Sequence, residues 1–236
     1  MKCLCIVPAH NEAASLPHLL EEIRGQGCDA VVVDDASRDD TATVASAAGV
    51  PVVSLPVNLG IGGAVQTGFM YALRHGYDVV VQVDGDGQHD PRWLPAVMAP
   101  IAAGRADCVI GSRYLPDAPD RAYHTPFVRR VGMHFSTTLL WMATGLRIHD
   151  TTSGLRALNR GAFEFFARHY PTDHPEAEAL LLLHQAGFRI LEVPVTMRSR
   201  RQGRSLFTLV RSTLYPFRVA VGFLGLIANE SGRRDR

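Results

Sequence analysis

Lysine is almost missing from this 236-residue chain. Lys2 is the only one, so nearly all of its 24 basic residues are arginines. The guanidinium is a rigid planar fork that suits phosphates and carboxylates. Long apolar runs are missing too. Nothing approaches the ~20 consecutive apolar residues of a membrane-spanning helix, and the best stretch, VAVGFLGLIA at 219–228, is half that length. The start, MKCLCIVPAHNE, carries too short an apolar run, and no cleavage site, for a signal peptide. Cysteine is scarce: Cys3, Cys5, Cys28 and Cys108 form no C-x-x-C pair. They read as reduced packing residues of a cytosolic protein, not as a disulfide framework or a metal site. There is no G-x-S-x-G, no Walker A and no H-E-x-x-H. Hydrolase, P-loop kinase and zinc-protease chemistries lose their usual support.

What is present fits one large domain, or one domain and an appendage. Apolar residues make up 47% of the chain, enough for a substantial core. The net charge of +1 argues against general nucleic-acid binding, but it hides an asymmetry. Residues 198–236 hold nine arginines against Glu230 and Asp235, so the end is basic and the rest acidic.

Through the first half, short apolar runs alternate with helical patterns. CLCIVP, DAVVVDD, VPVVSLP, YDVVVQVD and ADCVIGSR read as strands. Between them lie helices with recognisable ends, one with Ser37 as N-cap and Gly49 as its stop. Strands that are apolar on both faces imply a mostly parallel sheet between helix layers. The second half gives a proline-rich loop, a helix from FVRRVG to WMATG, and HDTTSGLRALNR as a loop with a short strand. EAEALLLLHQAG is a helix and FRILEVPVTMRSR a strand. The tail from 206 is apolar, with Arg211 and Arg218 seven residues apart on one helical face. That pattern fits an interfacial amphipathic helix, and equally a terminal helix docking on its own domain.

Open parallel sheets bind ligands beyond the carboxyl ends of their strands. PAHNE, DDAS, DGDGQH and GSR all fall at such ends, which is stronger than any one cluster alone. DGDGQHD places three acids in seven residues. Two carboxylates about 4 Å apart repel by roughly 4 kcal/mol at an effective dielectric of 20. A cation between Asp84 and Asp86 would neutralise them. An EF-hand reading fails, because His89 and Pro95 stand where glycine and glutamate belong. Mg²⁺ or Mn²⁺ instead takes few protein ligands and completes its shell with phosphate oxygens and water. Asp84, Asp86 and the Gln88 oxygen supply that partial shell, Gly85 and Gly87 admit a diphosphate, and His89 sits behind the ligands or on the acceptor side. Asp90, before Pro91, is the expected N-cap of the next helix. NLGIGGAVQTGF mimics a dinucleotide loop, but Val65 stands at its last glycine position. It reads as a helix start able to face a phosphate or sugar, or as close backbone packing.

In this order, VPAHNE, VVVDDAS, DGDGQH, GSRY, DTTSGLRALNR and EVPVTMRSRRQGRS resemble a family-2 glycosyltransferase. The likeness is closest to the dolichyl- or polyprenyl-phosphate sugar transferases and runs from about Lys2 to Ser205. It implies an α/β GT-A (nucleotide-diphospho-sugar transferase) domain over 1–205, with a mostly parallel sheet flanked by helices, and a basic amphipathic tail over 206–236. By that resemblance Pro8, His10, Glu12, Val33 and Asp35 line the base and ribose, with His10 where the family carries tyrosine. Asp84, Asp86 and Gln88 hold the metal and diphosphate. Arg113 and Arg200 contact phosphate. Arg129 or Arg130, with His134 replacing a serine one turn later, is the acceptor-side cation. Arg204 or Arg198 replaces a lysine lost at Leu206. Ser153 and Arg156 lie near the site, unless Arg156 is simply paired with Asp150. Glu178 orients the site or acts as base, or else Glu176 and Glu178 merely favour a helix start.

The implied reaction is metal-dependent transfer of a hexose, with inversion, from a GDP- or UDP-sugar to polyprenyl phosphate. A phosphate acceptor is already anionic at neutral pH and needs no strong base, whereas a hydroxyl acceptor does. The expected partner surface is the membrane, met peripherally from the cytoplasm, with no nucleic acid. The alternatives are transfer to a hydroxyl of a glycan or small molecule, and an inactive nucleotide-sugar-binding protein. Synthesis of the sugar nucleotide itself would want a Gly- and Arg-rich loop where PAHNE stands.

Overall fold

CLCIVPA forms β1 (Cys3–Ala9), and its alternate residues face opposite ways. Leu4 and Ile6 enter one apolar layer, Cys5, Val7 and Ala9 the other, and all five are buried. A strand apolar on both faces requires cover on both. The computed structural model describes residues 1–118, 127–171 and 175–198, with only the backbone for 127–132 and 175. It shows that double cover.

Around β1 stand β2 (Asp29–Asp34), β3 (Val52–Ser54), β4 (Val79–Gln82), β5 (Cys108–Ser112), β6 (Arg156–Asn159) and β7 (Ile190–Pro194). Their order is β3-β2-β1-β4-β6-β5-β7. All run parallel except β6, which is antiparallel to both β4 and β5. Residues 151–155, just before β6, therefore arrive at the edge where the other strands end.

One face is covered by α1 (Leu16–Gly25), α2 (Thr41–Ala47) and α4 (Leu94–Ala102). The other is covered by α3 (Gly60–Arg74), α6 (Arg160–His169) and α7 (Pro175–Gln185), together with Leu140 of α5 (Phe127–Thr144). On that second face Phe69 stacks on Phe166 at 5.8 Å between centroids and meets Tyr170 edge-on at 5.3 Å, tying α3 to α6. Such aromatic pairs add about 0.5–1.5 kcal/mol each beyond their buried area. A Cβ on Gly68 would stand 2.2 Å from Ile6, so α3 lies directly on β1. This part of the glycine-rich segment serves close packing.

Two local expectations change. α2 begins after Asp40, not Ser37; the Ser37 hydroxyl instead accepts from the Asn11 N–H at 2.9 Å. α6 has no counterpart in the sequence reading, although Asn159 caps it through the Ala162 N–H at 2.9 Å. Asp90 is the expected cap: its carboxylate accepts from the Arg92 N–H at 3.1 Å. The four cysteines are free thiols; Cys5, Cys28 and Cys108 are buried and Cys3 partly so. The tail at 206–236 lies outside the described residues.

Candidate active site

The loops after β1 and β2 are knitted together by polar bonds. Asp35 N–H donates to Ala9 O at 2.9 Å, Arg38 N–H to Asn11 Oδ1 at 2.8 Å, and Glu12 N–H to Thr41 Oγ1 at 2.9 Å. The weave holds Asn11 and Ala36 at φ of 58° and 56°. Alanine in the left-handed region costs about 1–2 kcal/mol and has no polar side chain to compensate. Strain of this kind concentrates at binding sites. Both residues border a cleft of about 480 Å³ lined also by His10, Arg38, Val57 and Asn58. The Asp35 carbonyl accepts from His10 Nδ1 at 2.8 Å and from Asn58 Nδ2 at 3.1 Å. A carbonyl can only accept, so His10 donates from Nδ1.

The Asp35 carboxylate points elsewhere. It accepts from Leu59 N–H at 2.6 Å and Gly60 N–H at 2.9 Å, capping α3, and the residue is 4% exposed. Of the two readings of the α3 start, this disfavours the one in which it faces a phosphate or sugar, since a carboxylate already fills that place. Val33 is fully buried in the core and does not line the cleft. Pro8 is buried as well, but its carbonyl accepts from Gly85 N–H at 3.2 Å and joins the first loop to the acidic one. The Ser15 hydroxyl strengthens that joint, donating to Gly85 O at 2.6 Å, beside Glu12.

Asp84 and Asp86 leave β4 half-buried. Asp84 is held from three sides. Gln82 Nε2 donates to its Oδ1 at 3.2 Å, and its own N–H donates to His89 Nδ1 at 3.0 Å. His89 Nε2 therefore bears the proton and lies 3.8 Å from Asp84 Oδ2. At 3% exposure His89 stands behind the acid, not on the acceptor side. The third side is Gly154, where an added Cβ would meet Asp84 Oδ2 at 2.5 Å. Asp86 Oδ1 accepts from the Gln88 N–H at 3.0 Å.

Arg113 is 7% exposed and forms a two-pronged pair with Asp150, at 2.7 and 2.8 Å, with Thr152 at 2.9 Å. Asp150 thus belongs to Arg113 and not to Arg156. The Arg156 guanidinium donates to the carbonyls of Thr151, Ser153 and Glu176 at 2.7–2.9 Å. It fastens the first turn of α7, which carries Glu176 and Glu178, to the loop lying on Asp84. Ser153 is fully buried, its hydroxyl donating to Gly111 O at 2.6 Å. Arg129 and Arg130 lie in α5, but their side chains, like all of Arg200 and Arg204, fall outside the described residues.

With the strand ends gathered in this way, similarity can be weighed. The glycosyl transferase family 2 model matches residues 4–166. The chain is a family 2 glycosyltransferase. This glycosyltransferase is 34% identical over 220 residues to the undecaprenyl-phosphate mannosyltransferase of Micrococcus luteus, covering 87% of each chain. It is 33% identical over 216 residues to the polyprenol monophosphomannose synthase of Mycolicibacterium smegmatis, covering 86% of this chain and 80% of that one. Its fold matches the Mycobacterium tuberculosis glucosyl-3-phosphoglycerate synthase crystallised with Mn²⁺ and UDP-glucose. There the TM-score is 0.71 at 21% identity, over 95% of this chain and 78% of the other. The α/β GT-A fold is thereby shown.

The fold family implies a divalent metal, and the glycosyltransferase has a donor set to fit one. Among the described residues no three His, Cys, Asp or Glu side chains gather as a closed cage. Two half-exposed carboxylates on one strand end suit a hard cation that keeps sites for phosphate oxygens and water. Asp84, Asp86 and Gln88 would hold it. Sequence reasoning missed Arg38, Asn58 and Gly154 as shapers of the site, and it expected Arg198 to stand in for the lysine lost at Leu206, not to hold α1 to the acidic loop. Arg198 grips Glu22 at 2.6 and 2.8 Å and Asp90 at 2.8 Å, while its N–H donates to Gln88 O at 2.8 Å. An R-x-R run after a strand and an acid on the exposed side of α1 were its only signals.

Proposed function

We propose that this glycosyltransferase moves a hexose from a GDP- or UDP-sugar to polyprenyl phosphate, with inversion at the sugar C1 and with Mg²⁺ or Mn²⁺. The supporting observation is the likeness, across at least four-fifths of both chains, to two enzymes named for polyprenyl-type lipid phosphates. Base and ribose enter the cleft between His10, Arg38 and Asn58, with Glu12 beside it and Asp35 shaping it through its carbonyl. Asp84, Asp86 and Gln88 take the metal. When bound, the ion neutralises charge growing on the departing diphosphate.

The chain's own residues do the rest. Gly85 and Gly87 let the diphosphate lie against the backbone. Arg113 and Ser153 fix the loops on either side of Asp84. Arg156 sets the first turn of α7, so that Glu178 orients the acceptor at the sugar's open face. Arg129 or Arg130, with Arg200 and Arg204, supplies cations for donor and acceptor phosphates. The acceptor phosphate attacks as an anion, and no side chain has to remove a proton from it.

A polyprenyl chain stays in the bilayer, because each buried CH₂ is worth about 0.8 kcal/mol, so the enzyme must come to the lipid. Among the described residues no helix is long and apolar enough to cross a membrane. The 1–205 domain is proposed to attach peripherally through the basic 206–236 segment, at about 1 kcal/mol per arginine near anionic lipid. The test is incubation with Mg²⁺ or Mn²⁺, radiolabelled UDP- and GDP-sugars, and polyprenyl phosphate. Label in the organic phase is the expected result. Free nucleotide without lipid product would overturn it.

A further inference from the structure

Three of the four cysteines meet at the end of the sheet away from the active-site loops. Leu4 pairs with Asp29 and Cys5 with Ala30 across the parallel strands β1 and β2. One residue back along each chain, that register sets Cys3 beside Cys28. Alternation puts Cys3 and Cys5 on one face of β1, and Cys28 joins them in the layer beneath α1. Among the described residues no three His, Cys, Asp or Glu side chains converge on a position for a metal. The cluster is therefore read as thiol chemistry and not as a ligand cage.

Geometry selects one pair for a covalent link. A disulfide needs its Cα atoms about 4.4–6.8 Å apart, and beyond about 7 Å the backbone must move. Neighbours on adjacent strands stand about 4.8 Å apart, and residues two apart on one strand about 6.6 Å. The diagonal from Cys5 to Cys28 is then about 8 Å. Cys3 and Cys28 are well placed, Cys3 and Cys5 lie at the limit, and Cys5 and Cys28 lie beyond it. Surroundings select the nucleophile. The thiols of Cys3 and then Cys5 hydrogen-bond to Cys28 and hold it well below the ordinary thiol range, against the effect of burial. The same contacts with Cys28 raise Cys3 and Cys5. Cys3 is partly exposed and Cys28 is 7% exposed, so a small oxidant reaches the pair at the sheet's end. Cys108 is the contrast: it is fully buried in β5, and burial pushes its thiol up to about 12. Only a thiolate reacts readily.

We propose that Cys3 and Cys28 are a reversible, peroxide-sensitive dithiol. The Cys28 thiolate attacks one oxygen of hydrogen peroxide, giving a sulfenic acid and releasing hydroxide, which takes up the proton that Cys28 gave up. The Cys3 sulfur then attacks the Cys28 sulfur. The S–S bond forms as the S–O bond breaks, and the departing hydroxide leaves as water with the Cys3 proton. The two thiols lose two electrons and two protons, and the peroxide becomes two waters. The link closes a ring around α1 and the PAHNE loop, bracing the unit that carries His10 and Asn11. Cys3 stands about 20 Å along β1 from that loop, so the dithiol is separate from the donor and acceptor sites.

The test treats the reduced full-length chain with hydrogen peroxide, blocks the remaining thiols with N-ethylmaleimide, and maps tryptic peptides by mass spectrometry. Trypsin leaves Cys3 and Cys5 in one peptide and Cys28 in the next, so fragment ions must place the label. The expected product is a Cys3–Cys28 disulfide with Cys5 and Cys108 labelled, reversed by dithiothreitol. The oxidised chain should melt about 5–10 °C higher than the reduced one. Cys3→Ser should leave a Cys28 sulfenic acid that dimedone traps, and Cys28→Ser should abolish both disulfide and adduct. In the unaltered chain, limiting iodoacetamide should alkylate Cys28 first, a measurement that needs no variant. A link through Cys5 or Cys108, or only between chains, would overturn the proposal. So would Cys108 alkylation as fast as that of Cys28, a lower melting temperature on oxidation, or four thiols unchanged by peroxide that oxidises free cysteine.

Discussion

Gly154 lies so close to Asp84 that a Cβ on it would stand 2.5 Å from one carboxylate oxygen and 3.0 Å from the other. The two residues are far apart in sequence and meet because β6 runs against its neighbours. Gly154→Ala must turn the Asp84 carboxylate aside, which a short terminal group can do without disturbing the sheet. A displacement of about 1 Å at a reacting centre can cost about 10²-fold. We expect the apparent Mn²⁺ requirement to rise at least about tenfold and transfer to fall by about 10², with thermal stability nearly unchanged. Steady-state rates across a Mn²⁺ titration, beside a melting curve, check this. Unaltered metal dependence would separate Gly154 from the metal-binding acids. Adding Asp84→Ala to the variant should bring little further loss than Asp84→Ala alone, because both act on one group.

The Arg113–Asp150 pair is buried on both sides, and a second carboxylate, Glu192, accepts from the His149 and Asp150 N–H groups at 2.8 and 2.9 Å. Removing Arg113 leaves the fully buried Asp150 carboxylate without its counter-charge, at a cost of about 3–5 kcal/mol. Arg113→Met should lower unfolding free energy by about that amount in urea titrations. Lysine will not rescue position 113, since it lacks the fork that takes both oxygens. If Arg113→Met instead leaves stability intact and raises only the donor KM, the arginine is a phosphate contact, as the family resemblance implied.

How much of this was legible in the sequence follows from what each residue's neighbours are. β1, β2, β4 and β5 declared themselves because each is apolar on both faces and ends in a polar cluster. The parallel-sheet rule then brought those clusters to one edge. Asp84, Asp86 and Asp90 could be assigned for the same reason: their roles depend on residues within a few positions. Asp35 and Val33 could not. The direction of a carboxylate at a strand end depends on which helix start lies opposite, and only the fold puts Leu59 and Gly60 there. Gly154 was missed, and Arg198 was given a phosphate role in place of its carboxylate partners, for a like reason, since Asp84 and Glu22 are distant from them in sequence. α6 was missed because Gly161 weakens its first turn, and its cap, Asn159, also ends a strand.

Arg198 joins α1 to the acidic loop, and this knot is sensitive to pH. The Arg198 guanidinium holds the Glu22 carboxyl below its ordinary value. At Asp90 burial acts in the opposite direction, but bonds from Arg92 and the charge of Arg198 prevail and the net shift is again downward. A carboxyl lowered by folding stabilises the protein above its unfolded value and ceases to do so as pH falls through the folded one. Glu22 is largely solvated, so its share is modest. Arg198→Met should cost about 1–2 kcal/mol near neutral pH, and the difference from wild type should shrink between about pH 5 and about pH 3. Melting temperatures over that range provide the measurement. A gap that stays constant with pH would mean that Arg198 contributes through packing alone.

Glu178 separates the two acceptor chemistries. It opens α7, whose first turn is pinned by Arg156 through the Glu176 carbonyl at 2.7 Å. A lipid phosphate attacks as an anion, so Glu178 has only to orient it. A sugar hydroxyl must lose a proton during attack, and a positioned base is worth about 10²–10⁴ in rate. With polyprenyl phosphate as acceptor, Glu178→Gln should lower kcat less than about tenfold and leave the shape of the pH–rate profile unchanged, because glutamine still accepts a hydrogen bond. A loss of 10² or more, together with disappearance of the acidic limb of that profile, would make Glu178 the base. That outcome would move the assignment to a hydroxyl-bearing acceptor, even with the donor site and family unchanged.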